Sequence, residues 1–250
     1  MNGTSRLVAA VALGLPIVSH AGPDDYVAVP TIEYGEHEIA LLFGTAKAKD
    51  SQGGERTSAA SIEFGYGATP WWYTEVYLKF AKDPGDKTKY DAVEWENKFQ
   101  LTEPNQYFAD FGLLTEIEIP KKRHEEGYEL RIGPLVQFDT GSVRWNANIF
   151  FERIYSSRME GEHPMEMLYQ LQARHMFARD MEAGFQAFGE MGKWNHWEPR
   201  EEQSHQIGPA LFGKVRLGGR EAIRYNAAYL FGTSGAAPKS TLRLQTEYEF

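Results

Sequence analysis

The sequence predicts an all-β fold: a transmembrane, antiparallel, up-and-down β-barrel of about 12 strands. Three observations carry that expectation. Apolar and polar residues alternate at period two through most of residues 36–250. The links between the alternating segments are short and long in turn. The chain ends TLRLQTEYEF, with Leu242, Leu244, Thr246, Tyr248 and Phe250 on one face of a strand and Thr241, Arg243, Gln245, Glu247 and Glu249 on the other.

The first 21 residues read differently. In MNGTSRLVAAVALGLPIVSHA, Arg6 precedes an apolar run from Leu7 to Val18, and Ser19-His20-Ala21 places small residues three and one before a cut after Ala21. That is the plan of a secretory signal peptide. The run is too short for a spanning helix, which needs about 20 apolar residues. The expected division is a signal peptide over residues 1–21 and an outer-membrane β-barrel over residues 22–250. Only about 15 residues separate the cut from the first strand, so no separate plug domain is expected.

The strand segments follow in order. They start near residues 36, 58, 72, 90, 107, 128, 144, 166, 183, 205, 222 and 240. SIEFGYGA sets Ile62, Phe64 and Tyr66 against Ser61, Glu63, Gly65 and Gly67. WYTEVYLKF sets Trp72, Val76, Leu78 and Phe80 against Tyr73, Glu75, Tyr77 and Lys79. VEWENKFQL, YELRIGPLVQF, RWNANIFFE and AIRYNAAYLF repeat the pattern. Such alternation marks strands and not helices. MEMLYQLQARHMF, residues 165–177, is rich in helix formers. It is counted as a strand because a barrel of this kind needs an even number, and its composition leaves strand and helix both open. The short links are Ala68–Trp71, Thr102–Gln106, Asp139–Val143, Ala178–Glu182 and Leu217–Glu221. The long ones include Ala48–Thr57, Ala81–Lys89, Pro120–Gly127, Tyr155–Pro164 and Gly192–Ser204. Short turns at one end and long loops at the other suit an outer-membrane barrel. Gly133-Pro134 and Gly208-Pro209 share a local Ile-Gly-Pro pattern and read as bulges, since proline lacks a ladder donor.

Which face is inside decides between a soluble sandwich and a membrane barrel. Aromatic residues gather at both ends of the segments. Trp71, Trp72, Tyr107, Phe138 and Trp145 lie by the short turns, and Phe80, Tyr90 and Tyr128 by the loops. Two belts of rings fit two membrane interfaces. The apolar face is therefore expected to face lipid, with the charged face turned inward. Asn97, His175 and Pro134 then fall on the lipid side, where Asn97 needs a partner on a neighbouring strand.

The stretches EFGYGATPWWYTEVYLKF, EWENKFQLTEPNQYFADFGLLTE, HQIGPALFG and TLRLQTEYEF are similar to a family of Gram-negative outer-membrane β-barrel proteins. These are akin to the barrels labelled as belonging to the MetA pathway of phenol degradation or as transporters. The likeness covers most of residues 33–250 and lies in strand patterns without a catalytic signature. It implies an outer-membrane location, and a terminal strand read by the barrel-assembly machinery through Tyr248 and Phe250.

The expected lumen-lining set is Glu63, Tyr73, Glu75, Tyr77, Lys79, Glu94, Glu96, Lys98, Glu129, Arg131, Arg174, Glu190, Arg224, Arg243 and Glu247. Acids outnumber bases in it. One reading is a network of ion pairs that stiffens the wall. The other is a wet passage that mildly prefers cations or neutral polar solutes. Tyr73 and Tyr77 are placed to cover bare backbone at Gly65 and Gly67, or else to offer a stacking surface for a sugar or aromatic solute.

Composition removes several classes. The net charge of −9 becomes one unit more negative without residues 1–21, so nucleic acid is not an expected partner. With no cysteine there is neither a disulfide framework nor thiol chemistry. Mean hydropathy is −0.49, and no apolar run after the leader approaches spanning length. No G-x-S-x-G and no paired-histidine metal motif occurs. Ser204 and His205 are neighbours on one strand and point to opposite faces. The expectation is a protein that is not an enzyme, with no cofactor and no metal. Its partners would be outer-membrane lipid, the assembly machinery and a small-molecule solute. The function expected is a passive channel or transporter for small polar or aromatic solutes. The alternatives are a closed structural or receptor barrel acting through its loops and, third, a lipid-modifying enzyme. Solute identity, the open or closed state of the lumen and oligomeric state are not legible in the sequence.

Overall fold

The computed structural model describes residues 22–250. The predicted leader, residues 1–21, lies outside the described residues. Twelve strands run in chain order: β1 His37–Lys47, β2 Arg56–Thr69, β3 Trp72–Lys82, β4 Lys89–Gln100, β5 Asp110–Pro120 and β6 Tyr128–Thr140; then β7 Val143–Tyr155, β8 Glu166–Ala178, β9 Met181–Lys193, β10 Ser204–Gly218, β11 Glu221–Gly232 and β12 Ser240–Glu249. Each strand pairs antiparallel with the next, and β12 returns to β1 to close the barrel. Closure removes every open sheet edge, so the ladder hydrogen bonds are made within the wall.

The seam is the last strand. Ile39 lies opposite Tyr248, Ala40 opposite Glu247 and Phe43 opposite Leu244. The N–H of His37 donates to the Phe250 carbonyl at 3.0 Å, and the N–H of Phe250 donates back at 2.9 Å. The Phe250 ring stacks on His37 at 5.6 Å and on Tyr248 at 5.3 Å. The one apolar and one charged face of TLRLQTEYEF thus continue the two faces of the whole wall.

The polarity of that wall is inverted relative to a soluble sandwich. Leu41 is 58% exposed, Phe64 50%, Trp95 50% and Ile132 47%, all on the outer face. Glu63, Glu75 and Glu96 are each 2% exposed, and Asn146 and Asn148 1%, on the inner face. Aromatic pairs mark both rims: Trp71 on Phe99 and Phe138 on Trp145 at the turn end, Phe80 against Tyr90 at the loop end. Asn97 on the outer face does find a partner, because the Trp72 indole N–H donates to its Oδ1 at 3.0 Å. We expect Trp72→Phe to destabilise the folded barrel by about 1–3 kcal/mol through the orphaned amide. Denaturant titration in micelles reads this, and adding Asn97→Leu should restore most of the loss.

Residues 166–178 are strand β8, which resolves the ambiguous segment. Its Gln170 and Gln172 face inward into a chain of side-chain amides, where ladder pairing on both sides outweighs helix propensity. The link after β4 is longer than expected, because β5 begins at Asp110 and not near 107. Asp110 Oδ1 accepts the backbone N–H of Asn105 at 2.7 Å, holding those residues in a turn. The two Gly-Pro sites are not bulges. β6–β7 and β10–β11 keep one register on either side of them. The register shifts fall instead at Gly67/Thr69, Lys79/Phe80, Glu166/Leu168, Met176/Ala178 and Arg216/Gly218.

The expectation of no separate plug domain did not foresee that the short segment before β1 itself enters the lumen. Residues 22–36 fold into the barrel and fill much of its middle. Val27 packs with Phe188, Ala210, Phe212, Ala228 and Leu230 on one side. Ala28 packs with Leu114, Leu135, Phe150 and Leu168 on the other. A segment too short to form a domain suffices, because the lumen of a twelve-stranded barrel is only about 10 Å across once inward side chains are in place.

Candidate functional site

The inner wall is built by register. Along the ladder, Glu75 lies opposite Glu96, Glu96 opposite Glu116, Glu116 opposite Arg131 and Arg131 opposite Glu152. A neighbouring line places Glu63 opposite Tyr77, Tyr77 opposite Glu94, Glu94 opposite Glu118 and Glu118 opposite Glu129. Like charges directly across a ladder repel. Donors must therefore be set among these carboxylates.

The wall supplies three. Lys98 Nζ sits 2.9 Å from Glu75 and 4.6 Å from the centre of the Tyr73 ring. Lys79 Nζ bridges Glu94 at 2.7 Å and Glu118 at 2.5 Å. Arg131 reaches Glu116 at 2.9 Å, Glu152 at 2.7 Å and Glu129 at 3.7 Å. The N-terminal segment supplies a fourth. The Tyr26 hydroxyl lies 2.6 Å from Glu96 and 3.1 Å from Glu75, at the place where two buried carboxylates face each other.

The rest of the segment is tied to the wall all round. The Ser61 hydroxyl donates to Asp24 at 2.6 Å. The Ala28 N–H donates to Gln170 Oε1 at 3.2 Å, and Asn148 Nδ2 donates to the Ala28 carbonyl at 2.9 Å. The Ile32 N–H donates to Gln100 Oε1 at 2.9 Å. Arg243 Nη2 donates to the Gly22 carbonyl at 3.1 Å while its guanidinium stacks 3.6 Å over Phe188. At the turn end, Glu33 lies 3.6 Å from Arg224, and the Gly35 N–H donates to the Gly67 carbonyl. The segment therefore rises from the turn end at Glu36 toward the loop end at Gly22. Inner-face glycines mark its track: a Cβ on Gly44 would meet Pro23, one on Gly67 would meet Glu33, and one on Gly112 would meet Pro30.

All the lumen residues expected from sequence have inward, buried or half-buried side chains. Glu63, Tyr73, Glu75, Tyr77, Lys79, Glu94, Glu96, Lys98, Glu129 and Arg131 gather on β2–β6. Arg174, Glu190, Arg224, Arg243 and Glu247 are spread over β8–β12. There Arg174 is 3.5 Å from Glu182, and Arg224 pairs with Glu249. Glu247 accepts from Gln245, and Glu190 lies opposite Ser204. Tyr73 does cover Gly65, with its hydroxyl end where a Cβ would be. Gly67 is covered by the Glu33 carbonyl instead, and Tyr77 stacks on Tyr26 at 6.2 Å. Sequence reasoning missed Tyr26, Asp24 and Ala28. The signals available for them were the surplus of inward acids and the inner-face glycines.

One group among the described residues has metal-like spacing. Carboxylate oxygens of Glu94, Glu96 and Glu116 lie within 4.8 Å of one another. Each is already engaged, by Lys79, Tyr26 and Arg131 respectively. His205 binds the Tyr169 hydroxyl at 3.0 Å and the Gln203 side chain at 2.6 Å, which leaves its ring no link to Ser204. A cavity of about 270 Å³ remains between the segment and β2–β6. Thr57, Lys82, Asp83 and Asp91 in its lining place it at the loop end.

No protein-family model and no curated protein matches the chain. Solved structures do. It is similar to the NanC porin at 8% identity, covering 86% of this chain and 98% of that one, with a TM-score of 0.57. It is similar to an outer membrane channel from Pseudomonas putida F1 at 11% identity, covering 92% and 99%, with a TM-score of 0.57. It is also similar to the translocator domain of the autotransporter NalP from Neisseria meningitidis at 9% identity, covering 87% and 88%, with a TM-score of 0.50. The likeness is one of fold, that of outer-membrane β-barrels. It does not reach the phenol-degradation family that the strand motifs resemble.

Proposed function

We propose that the protein is an outer-membrane channel for small polar solutes whose lumen its own N-terminal segment closes in the state described here. The observation that carries this reading is the wall behind residues 22–36. Beside the two apolar patches that meet Val27 and Ala28, it carries buried carboxylates, basic groups and amides, and the segment meets several of these through separate hydrogen bonds that water could replace. A barrel that only needed a filled core could extend those apolar patches round the whole wall and would have no use for the buried charges on β3–β6, since buried charge is costly. The outward apolar face and the two aromatic rims support insertion in the outer membrane of a Gram-negative bacterium. The strand pairing of β12, with Tyr248 and Phe250 at its end, supports delivery by the barrel-assembly machinery after removal of residues 1–21. The protein acts without catalysis and without a cofactor.

The filled lumen also favours a second reading, a closed barrel working through its loops, among them Tyr155–Pro164 and Gly192–Ser204. Planar-bilayer recording on residues 22–250, beside a variant without residues 22–32, separates the two. Conductance that rises when the segment is removed supports the channel. Silence from both forms supports the closed barrel.

A further inference from the structure

We propose that the loop-end cavity binds a small organic cation, an amine or amidinium carrying a short apolar body. This rests on the channel reading, because it names the class of solute that the pathway admits. Three observations converge on it. The cavity holds about 270 Å³, room for a molecule of modest size. Its lining has nine acidic residues against three basic ones. Two of the three bases are already committed, Lys79 to Glu94 and Glu118, and Arg131 to Glu116, Glu129 and Glu152. Asp24, which accepts from the Ser61 hydroxyl, Asp25 and Asp91 lie within ion-pair distance of no base among the described residues, so the surplus negative charge of the lining sits with them.

The third observation is a hydroxyl. Tyr77 is 3% exposed and lines the cavity, and its oxygen finds no hydrogen-bond partner among the described residues. A buried hydroxyl left unpaired is costly, and a ligand N–H would satisfy it. The stacked rings of Tyr77 and Tyr26 and the Leu42 side chain offer an apolar surface next to the carboxylates. Aromatic faces and anionic groups side by side suit an organic ammonium. An anion would meet the surplus charge. A calcium ion takes 6–8 oxygens, more than the three closely spaced glutamates provide, and those are held in pairs.

The test compares benzylamine, an ammonium near pH 7, with its neutral counterpart benzyl alcohol. Calorimetry on residues 22–250 in a non-ionic micelle should find one benzylammonium per barrel, bound at least tenfold more tightly than benzyl alcohol. Asp24→Asn with Asp25→Asn should weaken the ammonium about tenfold, and Tyr77→Phe about threefold. Circular dichroism confirms that each variant is folded. Equal affinity for the two probes overturns the proposal, as does binding indifferent to both aspartates. One-for-one displacement by calcium overturns it too, in favour of a metal site. Conductance without binding rejects the cation site and leaves the channel standing. Binding to a barrel that stays silent after removal of residues 22–32 rejects the channel alone.

Discussion

Removal of residues 22–32 should raise ionic conductance roughly tenfold or more, from near silence to that of a lumen about 10 Å wide. The wall does not depend on the segment for closure. β1 begins at His37, and its pairing with β12 uses residues 37–47 and 240–250. What the deletion removes is the packing of Val27 and Ala28, the hydrogen bonds that Tyr26 and Ile32 donate and the one that Asp24 accepts from Ser61. Each such bond contributes about 0.5–1.5 kcal/mol net, and water can take over the freed groups. Some stability is lost, but the twelve-stranded ladder remains. The Tyr26→Phe variant gives a graded control. It leaves Glu75 and Glu96 facing each other with one donor fewer, so brief openings should become more frequent at unchanged unit conductance. An unaltered trace from the deletion would show that the segment is not the obstruction.

The second large effect is on stability. Arg131→Met should destabilise the barrel by about 3–5 kcal/mol, because it leaves buried carboxylates without their shared cation. Glu116 and Glu152 side chains are 2% and 3% exposed, and Arg131 itself 14%. The methionine fills much of the space, so the loss is electrostatic rather than one of packing. The double variant Arg131→Met with Glu116→Gln should recover part of it. Guanidinium titration of the micellar protein measures both. A midpoint unchanged by Arg131→Met would mean that water within the lumen already screens these charges.

The strands were legible because their signal is local. Alternation in Ser61–Gly67 or Trp72–Phe80 needs no knowledge of the partner strand, and the inward side of each could be named from it. The Asp110 boundary was missed because a side chain, reaching back to Asn105, took the place of ladder pairing. The Gly-Pro sites misled because a proline can sit in a barrel strand at the loss of one ladder bond, without a shift of register. The occupant of the lumen was not legible at all. Gly22–Glu36 has no period, and its partners lie on most of the strands, from Ser61 on β2 to Arg243 on β12. Only the three-dimensional closure brings those residues to one place. Gly67 shows the limit well: an aromatic cover was the local answer, and a backbone carbonyl from residue 33 was the real one.

The channel, its closing segment and the cation site all depend on the direction in which the apolar face points. A variant keeping Trp95 as its sole tryptophan, with the other five changed to phenylalanine, tests it directly in bilayers containing lipids brominated along the acyl chain. Trp95 lies in mid-strand on the outer face and is half exposed. Its fluorescence should be strongly quenched by the brominated chains and little affected by acrylamide in the water. Quenching by acrylamide but not by bromolipid, or a lipid-free monomer in which neither quencher reaches Trp95, would contradict the inverted wall.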